Sequence, residues 1–137
     1  MKNLITAIFG LFLIQSNLYS QALKCEDFKT GKFEIIDQPN NIKYIIERFD
    51  DFQTEESVDL KTGNVVSEKG FFHLKWIDNC SFNLLIDTKK TEAKDFELKA
   101  NEDGGVTTKI IEINGNCATI DCLIRDNVYR FEICKIN

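Results

Sequence analysis

The strongest chemical signal in the chain is a set of three polar side chains around one tight turn, Arg48, Gln53 and Glu55. If Asp50-Asp51 turns a hairpin that pairs Arg48 with Gln53, the two-residue period of a strand puts all three on one face. Ile42, Tyr44 and Ile46 share that face. A guanidinium, an amide and a carboxylate beside an apolar surface can fix the orientation of an apolar ligand with one polar end. The plainer reading of the same residues is a solvated hairpin tip or a structural ion pair. The expected ligand contacts are therefore Arg48, Gln53 and Glu55 at the mouth of a pocket, with Tyr44 and Trp76 among the aromatic side chains lining it.

Other chemistries find little support. His73 is the single histidine, predicted to point outward beside Lys75. A thiol and base pair with Cys122 would need a positive neighbour to activate a buried sulfur. No Cys-x-x-Cys spacing is present for zinc, and Asp50-Asp51 and Glu55-Glu56 lack the spacing of a calcium loop. Asn79-Cys80-Ser81 fits a glycosylation acceptor, which has meaning only in a eukaryotic secretory route. No catalytic residues, metal or cofactor are expected.

The elements that would position these groups are strands. Residues 27–37 read as the first, closed by the turn residues Gln38-Pro39-Asn40-Asn41, and residues 42–49 and 52–60 as a hairpin pair. Residues 65–77 form a long strand with a bulge expected at Gly70, beyond which Phe72, Leu74 and Trp76 alternate with His73 and Lys75. Phe82, Leu84 and Ile86 make the next apolar row, and 88–94 is a polar connection with room for one helical turn. Residues 95–101 and 106–113 are predicted as a hairpin through Glu102-Asp103-Gly104-Gly105. Segments 116–124 and 128–136 form the last hairpin. No stretch carries a sustained helical period. Tyr44, Phe72, Trp76, Phe82, Phe96 and Phe131 then form an inward aromatic set. The expectation is an all-β, antiparallel up-and-down meander of about eight strands closed into a barrel, which removes exposed edges, with a β-sandwich as the alternative.

Five cysteines in such a chain imply two bridges and one free thiol. In the last hairpin, Ala118, Ile120, Cys122 and Ile124 face inward on one strand and Tyr129, Phe131 and Ile133 on the other. Cys117 and Cys134 then lie on the outer face, directly opposite each other when a two-residue loop falls at Arg125-Asp126. Cys122 is left as a small buried hydrophobe. Cys25 and Cys80 remain as the second pair.

The 137 residues make one domain. Lys2, the apolar run 4–14 and a polar stretch ending at Ser20 are read as a signal peptide over 1–20, leaving 21–137 as the barrel. The apolar run is far below the roughly 20 residues a spanning helix needs, so no transmembrane segment is expected. Removing Lys2 and no acid takes the formal charge from −5 to −6. An acidic surface argues against nucleic acid and against anionic membrane. A secreted or periplasmic monomer is the expectation.

The run Phe28-Lys29-Thr30-Gly31-Lys32-Phe33 is similar to the Gly-x-Trp motif that opens lipocalin and calycin barrels, with Phe33 in the aromatic position. The chain departs from that group in lacking the Trp, a Thr-Asp-Tyr motif and a C-terminal helix. More closely, Cys-x-Asp-Phe-Lys-Thr-Gly-x-Phe (Cys25 to Phe33), Ile-x-Arg (Ile46 to Arg48), Gln-x-Glu (Gln53 to Glu55) and Trp-x-x-x-Cys (Trp76 to Cys80) resemble a group of short exported bacterial proteins of unknown function. Some of those are labelled DNA topoisomerase IV, an activity that an acidic exported domain of this size does not support. The resemblance implies a lipocalin-like barrel binding a small apolar or amphipathic ligand without catalysis. The competing class is an envelope-associated or extracellular interaction module, an inhibitor or structural factor with a solid core and a protein partner.

Overall fold

The structure, a computed structural model, describes residues 22–136; the expected signal segment lies outside them. Eight antiparallel strands follow one another in chain order and close into a barrel: β1 (Gly31–Asp37), β2 (Ile42–Arg48), β3 (Phe52–Asp59), β4 (Val65–Trp76), β5 (Ser81–Ile86), β6 (Val106–Asn114), β7 (Cys117–Ile124) and β8 (Asn127–Ile136). No helix among the described residues is long and apolar enough to cross a membrane. One end of the barrel, the floor, is formed by the β2–β3, β4–β5 and β6–β7 turns. A short 3-10 turn, Cys25–Phe28, lies against that end in place of the first residues of the expected strand, so β1 begins only at Gly31. Phe28 is fully buried and stacks on Phe33, their ring centroids 5.7 Å apart.

Residues 95–101, predicted as a strand, instead form a helix, α1 (Asp95–Glu102), at the opposite, upper end. Phe96, Leu98 and Ala100 alternate as a strand would, but the local hydrogen bonding favours a helix. The Glu97 carboxylate accepts the Lys94 backbone N–H at 2.7 Å, satisfying a donor at the helix start. At the other end Gly104 N–H donates to the Asn101 carbonyl at 3.0 Å and Gly105 N–H to Ala100 at 2.7 Å. That is a Schellman ending, and Gly104 takes the positive φ (96°) it favours just past the cap; Gly105 also has a positive φ, 89°. The Gly-Gly pair that suggested a hairpin is therefore a helix stop. A Cβ on Gly105 would also collide with the Leu84 carbonyl oxygen, so the helix return packs directly on β5. β6 pairs with β5 rather than with residues 95–101, from Ser81↔Lys109 to Leu84↔Val106. Above that point the Asn101 side-chain amide replaces a strand, accepting from Ile86 N–H and donating to Ile86 C=O, each at 2.9 Å.

The registers of β3 with β4 run Glu55↔Gly70, Ser57↔Ser67 and Val58↔Val65, so the additional residues of β4 lie just before Gly70 rather than at it. A second irregularity, at Ile111 of β6, has no glycine to announce it. Closure of the barrel is incomplete in height. β8 pairs with β1 only from Ile35↔Ile133 to Lys32↔Ile136, leaving Asn127–Glu132 without a neighbour on the β1 side. Val128 and Tyr129 there are exposed.

Both bridges have the expected connectivity, Cys25–Cys80 and Cys117–Cys134, and Cys122 is free. Cys117 and Cys134 are directly paired across β7 and β8. The first bridge fastens the 3-10 turn to the β4–β5 turn and closes the longer loop, 55 residues against 17. On chain-entropy grounds the two contribute about 4 and about 3 kcal/mol. Replacing Cys25 and Cys80 together by Ser should lower the unfolding free energy by about 4 kcal/mol, measured by urea denaturation. Non-reducing peptide mapping should recover Cys122 unlinked, and a peptide joining Cys122 to another cysteine would contradict the strand register of β7 and β8.

Candidate functional site

The interior is packed solid near the floor and hollow near the top. Phe28, Phe33, Ile46, Ile110, Ala118, Ile120 and Ile133 form the lower core, and Leu74, Phe82 and Leu84 a second cluster beside it. Above them lies a cavity of about 300 Å³. Its walls are mainly apolar: Ile35 and Ile46, Tyr44, Phe72, Leu84 and Ile86, Val106, Ile124 and Phe131. Four side chains of α1, Phe96, Glu97, Ala100 and Asn101, close its upper side. Outside, a cleft between the β3–β4 wall and residues 90–97 meets the cavity at Tyr44, Glu55, Phe72, Phe96 and Glu97, which line both.

The turn at Asp50-Asp51 does pair Arg48 with Gln53. Arg48, Gln53 and Glu55 form one hydrogen-bonded chain, but at the floor and not at the mouth. Arg48 NH1 donates to the Phe28 carbonyl at 2.7 Å, Arg48 Nε to Gln53 Oε1 at 2.8 Å, and Gln53 Nε2 to Glu55 Oε1 at 2.5 Å. The guanidinium lies between two rings, its carbon 4.9 Å from the Phe33 centroid and 4.5 Å from that of Phe82. Arg48 is 3% exposed and Gln53 1%, and neither lines the cavity. Glu55 and Tyr44 do line it. Trp76 does not; it packs on Phe82 in the floor, ring centroids 4.8 Å apart, with Lys29 Nζ over its outer face.

Of the remaining aromatic set, Phe72 and Phe131 face the cavity, Phe82 belongs to the packed floor, and Phe96 reaches the cavity from α1 with much of its surface exposed. Glu97, Ala100 and Asn101 were missed because residues 95–101 read as a strand. The Lys94-x-x-Glu97 spacing and the four-residue interval from Phe96 to Ala100 were the available signals of a helix.

Burial pulls the Arg48 guanidinium down to about 10, against the opposing influence of Glu55, so it stays charged at neutral pH. Burial pushes the Glu55 carboxyl above its ordinary range. The Gln53 hydrogen bond and the Arg48 charge oppose that rise, and Glu97 adds to it. Cys122 faces the cavity on the opposite wall, its sulfur accepting from Thr108 Oγ1 at 3.6 Å, and burial raises its thiol. His73 lies outside the barrel 3.3 Å from Asp87, so the wall separates it from Cys122. The one grouping of metal-ligand types among the described residues, Cys117, Glu132 and Cys134, contains two sulfurs already bonded to each other.

No family model, curated protein or solved structure matches the chain. What fold and geometry define is a disulfide-bonded antiparallel barrel with a buried arginine at its floor and a small, largely apolar cavity under a helix.

Removing the Arg48 side chain would leave Gln53 and the Phe28 carbonyl unsatisfied beneath a void. Arg48→Ala should lower the unfolding free energy by about 3–5 kcal/mol in urea; a loss below about 1 kcal/mol would mean that the guanidinium does not hold the floor together. Glu55 bears on pH. With its folded-state value raised, its contribution to stability is fully present below the ordinary carboxyl range and is lost as pH rises through the raised value. Glu55→Gln lacks that loss. The difference in unfolding free energy should therefore move in the variant's favour as pH rises above the ordinary carboxyl range. An unchanged difference would mean that burial does not perturb this carboxyl.

Proposed function

We propose that this protein is an extracytoplasmic, non-catalytic binding barrel for a small apolar or amphipathic ligand, secreted or periplasmic and monomeric. The observation that carries the reading is the cavity of about 300 Å³, which lies at the lower end of the size range of small-molecule sites and has mostly apolar walls with a few polar groups. Support for the compartment comes from the two disulfides, which persist in oxidising surroundings. The solid floor favours a ligand held in the upper half, between the β2–β3 wall and α1, rather than one threaded through the barrel.

A second reading has its own observation. Val65 and Val66 at the start of β4, and Val128 and Tyr129 on the part of β8 that has no neighbour on the β1 side, are exposed apolar side chains at the upper rim. They favour an envelope-associated or extracellular interaction module that works through its rim, with a protein partner.

Native mass spectrometry of the mature protein recovered from its own type of host separates the two. Binding predicts an additional small-molecule mass that disappears on denaturing extraction. A clean protein mass that persists after exposure to a lipid extract would reject the ligand reading and favour the rim.

A further inference from the structure

The charged side chains facing the cavity all carry one sign. Glu55 stands at its floor, Glu97 on α1 and Asp37 at the end of β1, and among the described residues no Lys, Arg or His lines it. Lys69, Lys90 and Lys94 lie in the outer cleft, among Glu56, Glu68, Glu92 and Asp95. The neutral donors on the cavity wall are largely engaged. The Asn101 amide is bonded to Ile86, and the Thr108 hydroxyl donates to Cys122. The Tyr44 phenol, whose proton burial and the charges of Asp37 and Glu55 hold in place, remains as one neutral donor.

Glu55 itself lacks a cation in contact. Gln53 lies between it and Arg48, and the Gln53 amide is the one hydrogen-bond donor that the described residues bring to it, at Oε1. Its other oxygen, Oε2, accepts no hydrogen bond from the described residues and is not fully enclosed, and Glu55 stands where the cavity meets the outer cleft. An anionic head group entering here would meet three carboxylates with a single phenol to offset them. A protonated amine would meet Glu55 Oε2 directly, form a charge-assisted hydrogen bond, and supply the cation that this partly buried carboxylate lacks.

From the one-signed wall and the open Glu55 oxygen, we infer that the cavity takes an apolar molecule carrying a protonated amine, its ammonium on Glu55 and its body against Phe72, Leu84 and Val106. This assignment rests on the binding reading above and narrows it to cationic amphiphiles and apolar amines. Glu97, on the helix that closes the site, supplies a second negative charge near the head group, and Asp37 a third at the rim.

The test compares three probes of one chain length, decylamine, decanol and decanoate, below their aggregation concentrations at about pH 7.5, where the amine is charged. Affinities are read by titration of the natural chain. The amine should bind about tenfold or more tighter than the alcohol, and decanoate weakest of the three. Glu55→Gln keeps an acceptor for Gln53 and so preserves the floor. It should bring the amine to within about threefold of the alcohol. Decanoate binding as tightly as decylamine, or an amine preference that survives Glu55→Gln, would overturn the cationic assignment while leaving a binding barrel in place. If none of the three probes binds, the binding reading falls with it.

Discussion

A single buried guanidinium organises the lower half of this molecule. Arg48 reaches from the end of β2 to the carbonyl of Phe28, in the segment that precedes the sheet, and through Gln53 to Glu55 on β3. Its planar faces are occupied by Phe33 and Phe82, from opposite parts of the barrel, so one side chain touches four elements at once. A charge in such a place is stabilising only while its partners stay where they are. The Cys25–Cys80 bridge and Lys135 Nζ, which donates to the Asp27 carbonyl at 2.5 Å, hold the 3-10 turn and with it the Phe28 carbonyl. Disulfide, lysine and arginine thus act on the same short segment from three directions.

That arrangement divides the interior into regions with different tasks. Below Glu55, aromatic and aliphatic side chains fill the space around Arg48; above it, the barrel wall and a helix enclose a void. Glu55 sits on the boundary, one oxygen bound into the floor and the other accepting no hydrogen bond from the described residues. The hollow is allowed by the way β5 and β6 part at Leu84 and Val106: the chain leaves the sheet, forms α1 and returns, and the Asn101 amide takes over the hydrogen bonds the sheet gives up. The upper end therefore has a roof built by a connection rather than by the barrel wall.

Much of this was legible in the chain. Apolar rows at every second residue in 42–46, 72–76, 82–86 and 118–124 announced the strands and their inward faces, because a strand's period is short and a barrel repeats it all the way round. The Cys117–Cys134 pair followed from the same alternation and one turn length. The depth of Arg48 was hidden, since its main anchor is the Phe28 carbonyl, 20 residues away in sequence and in no regular pairing with it. A polar residue at a hairpin end reads as a mouth residue unless something covers that end. The helix α1 was hidden for a different reason: Phe96, Leu98 and Ala100 satisfy a strand's period as well as a short helix's face, and only the end-capping interactions separate the two.

The meander has a consequence for the order in which the molecule assembles. Seven of its strand pairings join neighbours in the sequence, whereas the eighth joins β1 to β8, and the Lys135 contact with Asp27 spans 108 residues. Local hairpins can form and dissolve with little loss of chain entropy, but the closing pair carries the loop-closure penalty of nearly the whole domain. The β1–β8 pairing is therefore the contact of highest loop-closure cost, and it is the one that completes the wall around the buried charge.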